Sequence, residues 1–383
     1  MSKVVLERVA EYDPNLVAQG VERVLAPLGG IEKFVLPGER VLLKPNLLAA
    51  KSPEAAVTTH PEVVRAVVKL VQRAGGIPII GDSPGYGSYS RITEKTGLSA
   101  VARETGAQLV EFSDSVEVQG SGTFRRFEIA RPYLEADRII NLPKLKTHEM
   151  MTITCAVKNL FGAVVGARKA AWHLKAGSDR ELFARMLVEL SLLRVPDLTI
   201  VDAVIGMEGN GPGSGDPRHV GVLLAGTDPV AVDVVAAELA GIPRKLLYVE
   251  RAARELGLPG SDRSNIELAG SPLEELRGAP FRLPHISDVQ FGLPRFLKNR
   301  LRHYFTSRPC ATERCRMCGI CIEACPPRAI SIEEGKLKFD YQRCIHCFCC
   351  RELCPDAALA VKQGLVLRLA AKIALIKTNF NRG

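Results

Sequence analysis

Two identically spaced cysteine runs near the C-terminus constrain this chain more than any other feature: Cys315-x2-Cys318-x2-Cys321-x3-Cys325-Pro326 and Cys344-x2-Cys347-x2-Cys350-x3-Cys354-Pro355. In a short secreted chain so dense a set would read as a disulfide framework. Here the chain has 383 residues, and ten of its 11 cysteines lie between Cys310 and Cys354. The opening residues, MSKVVLERVAEYDP, place charges inside the only apolar stretch and offer no secretory h-region. Asp233 and Glu238 interrupt one long apolar segment, and Arg368 and Lys372 interrupt another, so neither reads as a membrane span. We therefore expect a cytoplasmic protein whose cysteines bind metal.

Three cysteines two residues apart can wrap one side of an iron–sulfur cubane, and the fourth corner thiolate must come from elsewhere. Residues 308–360 resemble a bacterial-type ferredoxin domain with two 4Fe-4S clusters, all eight ligand positions being filled. In such domains the last cysteine of each run crosses to the other cluster. The resemblance implies Cys315, Cys318, Cys321 and Cys354 on one cluster, and Cys344, Cys347, Cys350 and Cys325 on the other. Cys-x2-Cys is also a zinc spacing, but zinc sites rarely need three cysteines in tandem and a fourth followed by proline, twice over. Cys310, Cys349 and His346 fall outside the eight; Cys349 could exchange with Cys350, although the spacing favours Cys350.

The net charge of +9 is unevenly spread. Residues 295–383 hold 17 of the 51 Lys+Arg and only 7 of the 42 Asp+Glu, which leaves the first 294 residues near neutrality. A thiolate-bound cubane is anionic and becomes more so on reduction, so a basic surround is expected to favour the reduced state and to attract an acidic redox partner. Nucleic acid is disfavoured as a partner because the bases interleave with cluster ligands. In the tail, 361–383, Leu365, Leu369, Ile373 and Ile376 recur at helical spacing beside Arg368 and Lys372. Such a helix docks on its own protein or, less favoured, on a membrane surface.

Upstream, a composition of 46% hydrophobic and 24% charged residues supplies enough apolar material for a sizeable core. Residues 1–280 alternate β-rich runs with helical patterns, which predicts an α/β domain with a largely parallel sheet, followed by the small α+β ferredoxin-like domain. Strands are expected over residues 4–9, 41–44, 77–81, 108–112, 138–142, 198–204 and 220–224, with a possible antiparallel addition at 124–129. Helices are expected over 61–73, 179–193 and 230–240. Residues 281–307, proline-bearing and basic, read as a connector.

Ligands of open α/β sheets bind beyond the carboxyl ends of the strands, and four apolar runs end in polar clusters. Lys44 and Asn46 follow the second run, Asp82 and Ser83 the third, Asn141, Lys144 and Lys146 the fifth, and Asp202 the sixth. In the segment NLPKLKTH, residues 141–148, period-two geometry places Lys144, Lys146 and His148 on one face, a candidate anion site. Residues 154–162 read as a helix opened by Thr152 or Thr154, whose N-terminus would favour an anion, with Lys158 and Asn159 beside it. The candidate ligand set is thus Lys44, Asn46, Asp82, Lys144, Lys146, His148, Lys158 and Asn159. Glycine-rich stretches at 81–88 and 206–216 either cradle a phosphate or serve as flexible loops. Asp228 and Asp233 are expected to begin and decorate a helix, and Cys155 is either a buried thiol or a redox one.

The segments LLKPN (42–46), NLPKLKTH (141–148), VKNLFG (157–162) and GTDPVAVD (226–233), followed by two ferredoxin motifs, resemble the family known as domain of unknown function 362 over nearly the whole chain. The resemblance implies an iron–sulfur, redox role and specifies no reaction. Three functions compete: an electron carrier whose large domain docks a partner or an anionic small molecule, a self-contained reductase of an anionic substrate or cofactor, and a regulatory protein with structural or sensory clusters.

Overall fold

Runs of valine, isoleucine and leucine, buried on both faces, build the spine of the large unit. The computed structural model describes residues 1–85, 87–166, 168–284 and 307–363. It divides the chain into two compact units, Met1–Pro284 and His285–Gly383. The tail helix pattern and most of the expected connector lie outside the described residues.

The large unit contains β1 (Ser2–Arg8), β2 (Arg40–Pro45), β3 (Ile77–Asp82), β4 (Gln108–Glu111), β5 (Ser115–Gln119), β6 (Arg126–Ala130), β7 (Arg138–Leu142), β8 (Lys144–His148), β9 (Thr152–Thr154), β10 (Leu198–Glu208), β11 (Asp216–Gly226) and β12 (Ile266–Gly270). The central sheet runs β12-β1-β11-β10-β7-β2-β3-β4. β4, β3, β2, β7 and β10 pair in parallel, β1 and β12 do likewise, and β11 runs antiparallel to both its neighbours. Adjacent residues of one strand feed opposite cores: Val5, Ile200 and Leu223 pack into one cluster, and Val4, Val201 and Leu224 into another. Helices therefore cover both faces, as parallel strands require.

The helix Pro61–Arg73 coincides with its expected range. Asp179 caps the helix Arg180–Ser191, and Asp228 caps Pro229–Leu239 by accepting from Val230 N and Ala231 N. The antiparallel addition exists as the β5–β6 pair, in a sheet of its own. Two expectations change. β10 extends to Glu208 and β11 begins at Asp216, so the glycine-rich stretch at 206–216 is mostly the turn of a hairpin. A Cβ at Gly211 would lie 2.2 Å from Thr147 O, so glycine there serves close backbone packing. The segment 154–162 is helical only over Ala156–Asn159, followed by a 3-10 turn, and neither Thr152 nor Thr154 caps it.

Proline shapes the polar edge. Pro143 cannot donate to a ladder, and the chain breaks there between β7 and β8. β10 consequently pairs first with β7, through Leu198 and Thr199, and then with β8, through Asp202 opposite Lys144. Asp202 N donates to Pro143 O at 2.9 Å across the break.

The small unit joins β13 (Ser307–Ala311) to β16 (Leu359–Gln363) and β14 (Ile330–Glu333) to β15 (Lys336–Phe339), both antiparallel. Its two halves repeat in backbone conformation. Met317 and His346, Gly319 and Phe348, and Arg328 and Ala357 form three pairs at the same spacing, and every member has a positive φ. The left-handed region favours glycine, yet five of these six residues carry side chains, so the loops hold them there by local necessity.

Candidate functional sites

The left-handed residues curl each cysteine run around a hollow. One cavity, with about 320 Å³ of unfilled space partly open to solvent, is lined by Cys315, Cys318, Cys321 and Cys354. The other, of about 330 Å³, is lined by Cys325, Cys344, Cys347 and Cys350. Each hollow thus gathers three cysteines of one run and the last cysteine of the other. Ala329 N donates to Cys325 Sγ and Ala358 N to Cys354 Sγ, both at 3.2 Å, so the two crossing cysteines sit in matching cradles. Among the described residues no three His, Cys, Asp or Glu side chains converge closely enough for one metal ion. Four cysteines around one hollow fit a cubane, in which each thiolate binds its own iron.

The cavities differ in their walls. Met317 and Arg316 border the first, where Cys318 is exposed. Phe339, Ile345 and Phe348 line the second, where Cys347 and Cys350 are buried. Cys349 is buried but does not line either cavity, and Cys310 lies on β13 with its Sγ donating to Ala360 O at 3.7 Å. Residues 307–363 hold nine Lys+Arg against seven Asp+Glu, and the rest of the basic excess expected around the clusters belongs to stretches outside the described residues.

In the large unit the polar residues expected at strand ends bond chiefly with one another, with Lys144 opening β8 and Asp202 lying inside β10. Lys44 Nζ lies 2.8 Å from Asp82 Oδ1, both buried, and Leu47 N donates to Asp82 Oδ2 at 2.9 Å. Lys144 Nζ lies 2.9 Å from Asp202 Oδ2, both fully buried. Burial holds both lysines below their usual pKa while their carboxylates pull the other way. Tyr12 OH accepts from Lys144 Nζ at 2.6 Å and donates to Asp202 Oδ1 at 2.7 Å. His60 stacks on Tyr12 with ring centroids 3.5 Å apart, and its backbone N–H donates to Asp202 Oδ2. Burial lowers His60 to about 4 against the pull of Asp202.

Lys146 Nζ donates to Asn46 Oδ1 at 2.9 Å and Val57 O at 2.7 Å. Asn46 donates to Asn159 Oδ1, and Asn159 donates to Asn141 Oδ1 at 2.8 Å and to Lys44 O at 3.2 Å. His148 Nδ1 accepts from the backbone N–H groups of Met150 and Met151. Lys144, Lys146 and His148 all lie on β8, and Lys144 is already paired with Asp202.

The expectation for residues 154–162 is corrected more strongly. Asp233 accepts from Ala156 N at 2.5 Å and Val157 N at 3.2 Å, so a carboxylate of the chain fills the helix N-terminus that an anion was expected to occupy. Burial raises Asp233 to about 7 despite those two donors. Lys158 Nζ lies 5.9 Å from the centroid of the Phe161 ring. Cys155 is buried and burial pushes its thiol up, which removes the thiolate a redox role needs.

Tyr12, His60 and Lys169 escaped sequence reasoning. Tyr12 follows β1 and so met the strand-end criterion, and His60 directly precedes Pro61 as a helix cap. Lys169, within GARKAAW, carries no local signal.

Fold and sites together define an α/β protein fused to a 4Fe-4S ferredoxin-type domain. A family model described as domain of unknown function (DUF362) matches residues 41–238, and one described as a 4Fe-4S dicluster domain matches residues 314–358. The chain belongs to the DUF362 family. It is 39% identical over 306 residues to the thylakoid-associated protein sll1697 of Synechocystis sp., covering 80% of this chain and 95% of that protein. Among solved structures it is similar to the lactate racemase apoprotein of Thermoanaerobacterium thermosaccharolyticum, with a TM-score of 0.43 and 11% identity over 62% of this chain and 57% of that one. A Thermotoga maritima protein gives 0.39 and 12% over 60% and 59%. Among the described residues no helix is long and apolar enough to cross a membrane.

Proposed function

We propose that the protein relays single electrons through two 4Fe-4S clusters held in the two cysteine cavities, with the large unit docking the partner or ligand it serves. The observation that carries this reading is the crossed composition of the cavities, three cysteines from one run and one from the other, around about 320 Å³ and 330 Å³. Bound there, four-iron clusters supply one-electron donors and acceptors. The chain's own groups would tune them. Amide donors from Ala329 and Ala358 withdraw electron density from the crossing sulfurs, and Phe339, Ile345 and Phe348 give the second cavity an apolar wall.

The test is protein purified without oxygen and assayed for iron, acid-labile sulfide and zinc. Roughly eight iron and eight sulfide per chain are expected from two four-iron clusters, with a paramagnetic signal appearing on reduction. Stoichiometric zinc without sulfide would refute the reading. We place the protein in the cytoplasm, and the name of the Synechocystis relative supports a peripheral meeting with a membrane. Cell fractionation distinguishes the two.

A further inference from the structure

Lys169, near the sheet edge, is held by oxygens that carry no charge. Its Nζ donates to Ser83 O at 2.9 Å, Ser83 Oγ at 2.8 Å and Pro84 O at 3.4 Å, all neutral oxygens. Among the described residues no carboxylate lies within ion-pair distance of it. The carboxylate that acts on it most, Asp82, is already held by Lys44 at 2.8 Å and by Leu47 N. Lys44 and Lys158 act on Lys169 as further positive charges. Lys44 and Lys169 therefore face the one carboxylate of Asp82 at the carboxyl ends of β2 and β3.

A cation withdrawn from water needs a counter-charge or must lose its proton. Burial pushes Lys169 down to about 7, so both outcomes lie within reach near neutral pH. The frame around the ammonium is rigid. Ser83 N donates to Gly162 O at 3.3 Å, and Gly166 N donates to Ser83 Oγ at 3.0 Å, which fixes Ser83 from two sides. Gly162 permits the approach, because a Cβ there would lie 2.1 Å from Asp82 Oδ1 and 2.5 Å from Lys44 Nζ. Gly85, Gly87, Gly166 and Arg168 are exposed, so the loops that carry these groups open to solvent.

We propose that Lys169, fixed by Ser83 and flanked by Lys158 and the Lys44–Asp82 pair, binds the carboxylate or phosphate oxyanion of a small molecule. The site takes in Lys44, Asp82 and Lys158 of the candidate set and adds Ser83 and Lys169. It goes beyond the electron-relay reading, because its occupancy needs no cluster.

The test is calorimetric titration of the intact anaerobically purified protein with sulfate, standing for a phosphate group, and with acetate, standing for a carboxylate. Both probes keep a constant charge between pH 6.0 and 8.5. At least one is expected to bind at pH 6.0 and to weaken roughly tenfold or more by pH 8.5 as Lys169 loses its proton. Lys169→Met should weaken binding at pH 6.0 by about tenfold or more, the loss of one charge-assisted hydrogen bond. Lys169→Arg should retain binding and lose most of the pH dependence, since arginine stays charged. Which probe wins assigns the headgroup. Absence of binding by both probes, or Lys169→Met binding like the parent, overturns the proposal. Neither probe nor substitution touches a cluster cysteine, so such a failure leaves the electron-relay reading standing.

Discussion

Asp202→Asn tests whether the Lys144–Asp202 pair acts as a buried latch of the large unit. The substitution keeps one amide oxygen, for Tyr12 OH, and puts an uncharged NH2 group where the second oxygen accepts from His60 N and faces Lys144 Nζ at 2.9 Å. Two estimates of the cost converge. Removing one partner of a buried ion pair costs about 3–5 kcal/mol. Alternatively Lys144 sheds its proton, and neutralising a lysine of ordinary pKa near 10.4 at pH 7 costs about 5 kcal/mol at about 1.4 kcal/mol per unit. That second route sets a ceiling that falls as pH rises, because the unfolded lysine still binds a proton that the folded one has lost. At pH 9 the ceiling is about 2 kcal/mol, so the defect of Asp202→Asn should fall to about 2 kcal/mol or less. The chain's single tryptophan, Trp172, is buried in the large unit, so its fluorescence during urea unfolding reports that unit. Adding Lys144→Met to Asp202→Asn removes the stranded cation and should recover part of the loss. A cost below about 1 kcal/mol at pH 7, or a double variant that merely adds the two single losses, would show that the pair carries no such charge coupling.

Three further outcomes follow from the same contacts. Burial places Asp233 at about 7, well above the ordinary carboxylate range, so its protonated form favours the folded state and stability falls as pH rises from about 4 to about 7. Asp233→Asn should flatten that fall, worth up to about 4 kcal/mol, in urea midpoints taken between pH 4 and pH 8; parallel curves for parent and variant would exclude the assignment. Gly162→Ala pushes a methyl group into Asp82 and Lys44 and should cost about 1–3 kcal/mol of large-unit stability by the same fluorescence assay, whereas a neutral substitution would mean that the edge is loose. In the small unit, Cys350→Ala should lose close to half of the iron while Cys349→Ala keeps it, measured per chain after anaerobic purification; the reverse result would exchange their roles.

The cysteine half of the molecule was legible because its information is local. The spacing of three ligands defines a loop, and the following proline marks where the fourth leaves it. The bends themselves were not legible, since Phe348 and Ala357 adopt positive φ without being glycine and only the closed hollow enforces it. In the large unit, apolar runs located the strands well, and helix starts followed from Asp179, Asp228 and Pro61. The reversed β11 was less visible. Its outer turns, Asp216 to Val220, carry Arg218 and His219 on a half-exposed ribbon where no continuous apolar run is needed.

The polar edge shows how ligand capacity depends on register and not on composition. The apolar runs drew attention to Lys44, Asp82, Lys144 and Asp202, of which Lys144 opens β8 and Asp202 lies inside β10, and each is most informative through a partner many residues away. β2 beside β3 brings Lys44 to Asp82, and the break at Pro143 lets β8 take over from β7 so that Lys144 falls opposite Asp202. Those two pairings consume the charges that sequence made conspicuous. The same sheet order carries Ser83, just past β3, to the helix holding Lys169, which among the described residues meets neutral oxygens and no carboxylate at ion-pair distance. An edge read as a row of cations would take any anion anywhere along it. With its charges paired off by register, it concentrates the demand for a counter-ion beside Ser83, and a ligand bound there would complete the charge balance that β2 and β3 leave unfinished.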